Sequence, residues 1–438
     1  MFQPGLQLEQ APPISVPFRF FLSAPVFLLL AALMLLWAGA EALESRQSPS
    51  MLALTHLITL GFMTMIMIGA MMQMLPVLAG SPVPGPLATA AVVHLGLVLG
   101  TLMLAAGFLF GQPWMFEAGS VALGGGFLAF GAAVSISLVR TRVQNNTVRA
   151  MWLPAAALVP AVAIGVTLAL SLALGWGLPN LSLRDLHPGW ALLGWTGLLV
   201  IGVAYQVVPM FQITPAYPRS MIRYLGATII VLLCLWSAAR WFDPGGALAV
   251  ACAVAISAAY ALFGAVTIAL QRRRKRRLPD VTLDFWRLGM GSLVAAGVLW
   301  AARVALPWEW PAAFDVLIGV LVLVGFAVSV ISGMLYKIMS FLVWFHLQAI
   351  TGAGRAVPNM KRILGDASQR RQFRAHVVAL ALLSGAALWP QLLVYPAALA
   401  LAADAVLLGL NMLKVLKAYR ESLKLLGTFR AGSEQANQ

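Results

Sequence analysis

Apolar residues run along this chain in stretches long enough to cross a bilayer, separated by short breaks rich in Pro, Gly and charge. A hydrocarbon core about 30 Å thick needs about 20 mostly apolar residues per spanning helix, and twelve such stretches can be laid down. The first six fall near Phe20 to Ala42, Met51 to Gly80, Leu87 to Phe110, Trp114 to Val139, Met151 to Gly175 and Trp190 to Phe211. The second six fall near Met221 to Phe242, Leu248 to Leu270, Leu288 to Leu306, Ala312 to Ser340, Ala375 to about Leu392 and Val394 to Leu416. Only the turn signal Trp389-Pro390 parts the last two.

Composition agrees with the pattern. Of 438 residues 61% are hydrophobic and 10% charged, and the mean hydropathy is +0.89. A water-soluble core of this length could not hide so much apolar surface. The expected class is an all-α integral membrane protein whose main partner is the lipid bilayer. The single membrane domain spans 1–438, with 421–438 as a cytoplasmic tail, polar and disordered from Gly432.

Charge sets the expected orientation. Arg140, Arg142 and Arg149, the run Arg272 to Arg277, then Lys361, Arg362, Arg370 and Arg371, and finally Lys414, Lys417, Arg420 and Lys424 all follow even-numbered spans. The opposite ends carry only isolated Arg46, Arg184, Arg240 and Arg303. The positive-inside rule then places both termini in the cytoplasm of a bacterial inner membrane. The net charge of +15 is accounted for by topology and anionic headgroups, which excludes nucleic acid as a partner. The N-terminus has no basic n-region, and its first apolar run is too long for a cleaved signal. Cys234 and Cys252 lack metal-site spacing and read as apolar filler.

Helices two, six and ten share a pattern. Gly61, Gly69, Met72-Gln73 and Pro76 correspond to Gly194, Gly202, Tyr205-Gln206 and Pro209, and to Gly325, Gly333, Tyr336-Lys337 and Ser340. Copies four helices apart keep one orientation, so the chain is expected to consist of three parallel repeats, approximately 18–145, 146–280 and 281–420. Glycines eight residues apart suit inner helices that meet around a centre.

Twelve helices in three parallel four-helix arcs resemble subunit I of the haem-copper oxidase superfamily, and most nearly its NnrS-type membrane proteins. Thr55-His56-Leu57, His187-Pro188-Gly189-Trp190, Tyr205-Gln206-Val207-Val208-Pro209 and the stretch Tyr336 to His346 carry the likeness. The resemblance implies a haem ligand on helix two, where His56 stands, and copper ligands on helices six and seven, of which His187 alone is a candidate. Helix ten has Phe314, Asp315, Val316 and Gly319 where haem-binding histidines would stand, and helix seven ends Trp236, Arg240, Trp241, Phe242. The usual oxygen-reducing centre therefore cannot be assembled.

Five histidines bound the chemistry, because haem iron and copper in lipid need neutral nitrogen donors. His56 and His187 lie near the same membrane face and are the candidate ligands for haem b or copper. His94 reads as a packed, hydrogen-bonded residue, and His346 and His376 as interfacial ones. Met63, Met67, Met71 and Met74 recur at helical spacing as a soft stripe that packs a haem edge or, with Met63 and Met67 as ligands, passes Cu(I). Glu117, Asp315 and Asp404 mark a candidate intramembrane polar path, while Lys337 reads as a snorkelling side chain.

The resulting expectation is a haem-copper-oxidase-like membrane protein without the oxygen-reducing centre. It binds haem or copper near the outer face, acts in nitric oxide stress or respiratory metal homeostasis, and partners respiratory or haem-protein subunits. A copper or small-solute transporter and a non-catalytic respiratory assembly protein are the alternatives.

Overall fold

A computed structural model describes residues 10–141, 146–275, 278–351 and 359–435, the side chains of 78, 79, 146, 147, 149, 361 and 427–435 apart. Arg142, Arg276 and Arg277 of the basic clusters lie outside the described residues, as do 436–438 of the tail.

Every regular element among the described residues is a helix, the arrangement in which a segment satisfies its own backbone hydrogen bonds inside lipid. Among the described residues eleven helices are long and apolar enough to cross a membrane: α1 (Ser15–Leu43), α2 (Pro49–Val77), α3 (Pro86–Phe110), α4 (Pro113–Arg140), α5 (Ala150–Leu174), α6 (Leu183–Gln212), α7 (Arg219–Phe242), α8 (Ala247–Arg272), α9 (Val281–Ala305), α10 (Ala312–Thr351) and, after one further long helix, Pro390–Leu426. That further helix is α11 (Asp366–Leu388), and the last is α12, whose full extent is Pro390–Gln435. The protein is thus a multi-pass membrane protein.

Two expectations are corrected here. Helix α11 begins at Asp366 rather than Ala375, and Asp366, Arg370, Arg371 and Arg374 in its first half keep it below the apolarity of the other eleven. It still packs along α12, α10 and α9. Helix α12 continues into the polar segment read as a disordered tail, as far as Gln435; at 1.5 Å per residue it is about 69 Å long, more than twice the hydrocarbon thickness.

Local signals set the ends. Ser48 accepts from the Met51 amide with Pro49 in the first turn of α2, and Asp280 accepts from the Thr282 amide at the start of α9. Gly80 and Gly111, at φ +61° and +64°, close α2 and α3 in the left-handed conformation that glycine adopts without strain.

Three helices contain π-helical stretches. Leu57–Thr64 of α2, Gly189–Gly197 of α6 and Leu321–Val328 of α10 are π-helical, and they contain Gly61, Gly194 and Gly325. Each glycine abuts the helix that immediately precedes its own in the chain, not the bundle centre. A Cβ at Gly61 would fall 2.3 Å from the Phe27 ring on α1, at Gly194 2.9 Å from Ala157 on α5, and at Gly325 2.7 Å from Ser292 on α9. Gly69, Gly202 and Gly333 lie against Phe20, Ala150 and Phe285 of the same three neighbours. The close approach that small residues permit in lipid is therefore between α2, α6 and α10 and the helices before them. The first and last helices also pack together, α1 against α12, so the bundle closes on itself.

Candidate functional site

A cavity of about 1180 Å³ occupies the bundle, and all twelve helices contribute to its wall. Its lining is largely apolar, with Phe108, Phe127, Trp195, Trp236 and Trp300 among the aromatic residues. His56, near the start of α2, and His187, near the start of α6, both line it.

The two imidazoles lie side by side in the cavity wall. Their ring centroids are 6.1 Å apart and their planes 16° from parallel. His56 also stacks on Phe108, at 5.4 Å. His56 Nδ1 lies 2.7 Å from the Leu52 carbonyl, one turn back on its own helix, and His187 Nδ1 lies 3.0 Å from the Ala161 carbonyl of α5. A carbonyl can only accept, so each Nδ1 carries the hydrogen and donates. In the neutral ring that leaves the lone pair on Nε2 of both residues. Gly165 makes room for this arrangement, since a Cβ there would meet His187 Cε1 at 2.7 Å.

Charge collects at the same end of the cavity. Asp185 bridges Arg46, at 2.6 Å, and Arg240, while Asp315 pairs with Arg303 at 3.4 Å. With Arg184, the wall carries four arginines against two aspartates, a surplus that favours an anionic occupant. Ser120 Oγ and Trp195 Nε1, on residues that line the cavity, are buried without a hydrogen-bond partner in the protein.

No protein-family model and no curated protein matches this chain. Its chemistry has to be read from its own side chains.

The other expected site residues are dispersed. Met63 and Met67 are buried in the core and do not line the cavity, whose methionine among the described residues is Met51. Met65 and Met72, off the supposed stripe, are as buried as Met63 and Met71: α2 is packed all round, and the methionines fill core. Glu117 is exposed on α4, Asp315 lines the cavity and Asp404 is fully buried. Lys337 pairs with Asp280 at 3.0 Å. His94 bonds Ser23 at 2.6 Å and packs edge-on to Phe20, and His346 bonds Tyr419 at 2.7 Å. Both cysteines are free.

His376 is not interfacial. It is fully buried, with Nδ1 2.8 Å from Asp404, itself fully buried. The signal for this lay in the hairpin: His376 stands thirteen residues before Trp389 and Asp404 fifteen after it, so two antiparallel helices joined there bring them to one depth.

A haem or copper ion, the group that the family resemblance implies, fits this donor set. Two neutral imidazoles with Nδ1 fixed by backbone carbonyls present Nε2 as ligating atoms, the orientation that metal-bound histidines ordinarily have. Among the described residues no cluster of three or more His, Cys, Asp or Glu is placed to bind a metal, so a site here is a two-histidine site.

Proposed function

We propose that this protein is a membrane haem protein of haem-copper-oxidase type that lacks the oxygen-reducing centre, and that His56 and His187 are the residues that would hold the haem. The single observation that carries this reading is the histidine pair: parallel rings 6.1 Å apart, each with Nδ1 spent on a backbone carbonyl. Haem is favoured over a lone copper ion by the space around them. A copper ion has no use for an apolar cavity of about 1180 Å³ with surplus arginine at one end, whereas a porphyrin buries an apolar ring and leaves carboxylates to be paired.

When bound, such a haem supplies one-electron transfer. The protein's part is to fix both ligands, exclude water with Phe108 and the aromatic wall, and balance the anionic edge with Arg46, Arg184, Arg240 and Arg303. The threefold helical arrangement, with both termini on the cytoplasmic side of a bacterial inner membrane, belongs to the same reading. So does a role in nitric oxide stress or respiratory metal homeostasis beside respiratory partner subunits. A copper carrier finds less support, because Met63 and Met67 stand off the cavity and leave it only the histidine pair.

The test is to purify the protein after expression with adequate haem and copper, record its reduced-minus-oxidised spectrum and measure iron and copper. A haem spectrum lost in both His56→Ala and His187→Ala is the expected result. Copper without haem would favour the carrier, and neither metal would leave the accessory role.

A further inference from the structure

A second concentration of charge lies at the end of the bundle opposite the cavity mouth. Helix α7 runs from Arg219 there to Arg240 beside the cavity, about 32 Å away at 1.5 Å per residue. We infer that this corner, where α7 begins and α8 ends, is a binding site for one anionic membrane lipid that carries two phosphates. Nothing in that reading depends on what the cavity holds.

The segment between α6 and α7 builds the corner by folding over the end of α8. Gln271 Nε2 donates to Gln212 Oε1 at 3.0 Å, and both side chains are buried. The Lys275 amide donates to the Ile213 carbonyl at 3.1 Å. Thr267 spends its hydroxyl hydrogen on the Phe263 carbonyl at 2.7 Å, so the buried Tyr217 hydroxyl is the donor in the 2.9 Å bond between Tyr217 and Thr267. The Tyr217 ring also stacks on Phe263. Ile213 takes φ +56°, a positive value that no other non-glycine among the described residues has. A β-branched residue rarely adopts it, and the crossing imposes it.

Two groups of cations are thereby set side by side. Arg219 follows Tyr217 by two residues and Arg223 stands one turn further along α7, while Arg272, Arg273 and Lys275 follow Thr267 by five to eight residues at the end of α8. All five are exposed. No carboxylate answers them. The sequence has no Asp or Glu from His187 to Phe242 or from Pro244 to Pro279, and the next two acids are taken, Asp280 by Lys337 at 3.0 Å and Asp284 by Arg370 at 3.3 Å. Arg274, in the same run, is turned back on the Leu278 carbonyl. Helix α7 also starts without a side-chain cap, which leaves amide donors of its first turn at the same corner.

The neighbouring surface selects a lipid as the anion. Arg223 lies over the ring of Tyr224, 5.2 Å from its centroid, and Tyr224 is exposed, the aromatic and basic combination that anchors a helix at headgroup level. Toward the middle of the bundle α7 exposes Val231 and Leu235, and α8 exposes a face of small side chains, Ala251, Ala258, Ala265 and Ala269, with Leu262 among them. A low alanine face beside taller side chains is a shallow trough that lets an acyl chain lie close to the backbone. An acidic protein segment would use the cations and leave the apolar wall idle.

Two phosphates follow from the grouping. A lipid phosphodiester carries one negative charge, which Arg219 and Arg223 on α7 meet as a pair, each guanidinium offering a fork of N–H donors to phosphate oxygens. The group of Arg272, Arg273 and Lys275 is left for another. A lipid with both phosphates on one bridge gives up its freedom once for the two contacts and is held more tightly than two separate lipids. The basic group on α12 is built differently: Lys414 donates to Ser368 at 2.7 Å and Lys417 pairs with Glu421 at 3.8 Å.

The experiment is native mass spectrometry of the full-length protein in detergent, titrated with cardiolipin, which has two phosphates, and with phosphatidylglycerol, which has one. One cardiolipin is expected to bind about tenfold tighter than phosphatidylglycerol, or more. Arg219→Gln combined with Arg223→Gln should weaken cardiolipin binding by about tenfold or more, the effect of two basic residues at a headgroup. Lys417→Gln combined with Arg420→Gln removes the same charge from α12 and should stay within about twofold of wild type. Equal binding of the two lipids overturns the proposal. So does an equal loss in the α12 pair, which would reduce the corner to general surface charge, and so does displacement of cardiolipin by an equal concentration of inorganic phosphate, which would mark a phosphate site with no use for acyl chains. Should the first pair fail to insert, Arg272→Gln combined with Arg273→Gln is read by the same measure. An unchanged unfolding temperature in lipid-free detergent establishes that each variant is folded.

Discussion

His56 of α2 and His187 of α6 stand ring to ring, 6.1 Å apart and 16° from parallel, each tethered through Nδ1 to a carbonyl. Nothing in this contact holds the rings together by itself; two neutral imidazoles gain little from stacking in lipid when each keeps an acceptor nitrogen unspent. The backbone tethers impose the geometry, and one of them comes from a third helix, α5.

That dependence on α5 predicts the effect of Gly165→Ala. The new Cβ would fall 2.7 Å from His187 Cε1 and push the ring from its carbonyl. If the pair binds metal as proposed, metal content per mole of protein is expected to drop at least tenfold, the scale of a disturbed outer-shell contact, with the helical circular dichroism unchanged. Full metal content in this variant would remove His187 from the ligand set.

Replacing Asp185 with Asn should loosen the cavity end of the bundle. One carboxylate there serves both the exposed Arg46 and the half-buried Arg240, and losing that shared charged acceptor costs about 1–3 kcal/mol. Thermal unfolding in detergent should show the loss, and a twofold excess of salt should shrink the difference from wild type.

The glycines divide into two kinds that unfolding measurements can separate. Gly61→Ala forces a Cβ to within 2.3 Å of Phe27 and should destabilise by about 1–3 kcal/mol or more. Gly124→Ala, at a helical position with nothing within 4 Å, should be neutral or stabilise by up to about 1 kcal/mol through helix propensity.

Tyr336→Phe keeps the ring and removes the hydroxyl between Asn411 and Gln372. Both amides are buried, so the expected loss is about 1–3 kcal/mol, read as a lower unfolding temperature with the same cooperativity.

Hydropathy was sufficient to locate eleven spans, because lipid demands long apolar stretches and hides nothing of them. It misjudged α11, whose charged first half, Asp366 to Arg374, reads as loop until its partners on α12 and α9 are seen. The histidine pair was legible as two residues on one face of the membrane, but not as a contact, because the rotation of α2 and α6 depends on π-helical stretches that carry no hydropathy signal. His376 was misread through its neighbours: Arg370, Arg371 and Arg374 advertise an interface, although the residue itself turns inward to Asp404.

Because α1 lies against α12, helix neighbours form a cycle, and the cycle has no beginning. Where the chain starts is then a matter of covalent order rather than of packing. A circular permutant opened in the 213–218 segment between α6 and α7, with its old ends joined by a linker long enough to pass the end of α12, would keep every helix beside its present neighbours.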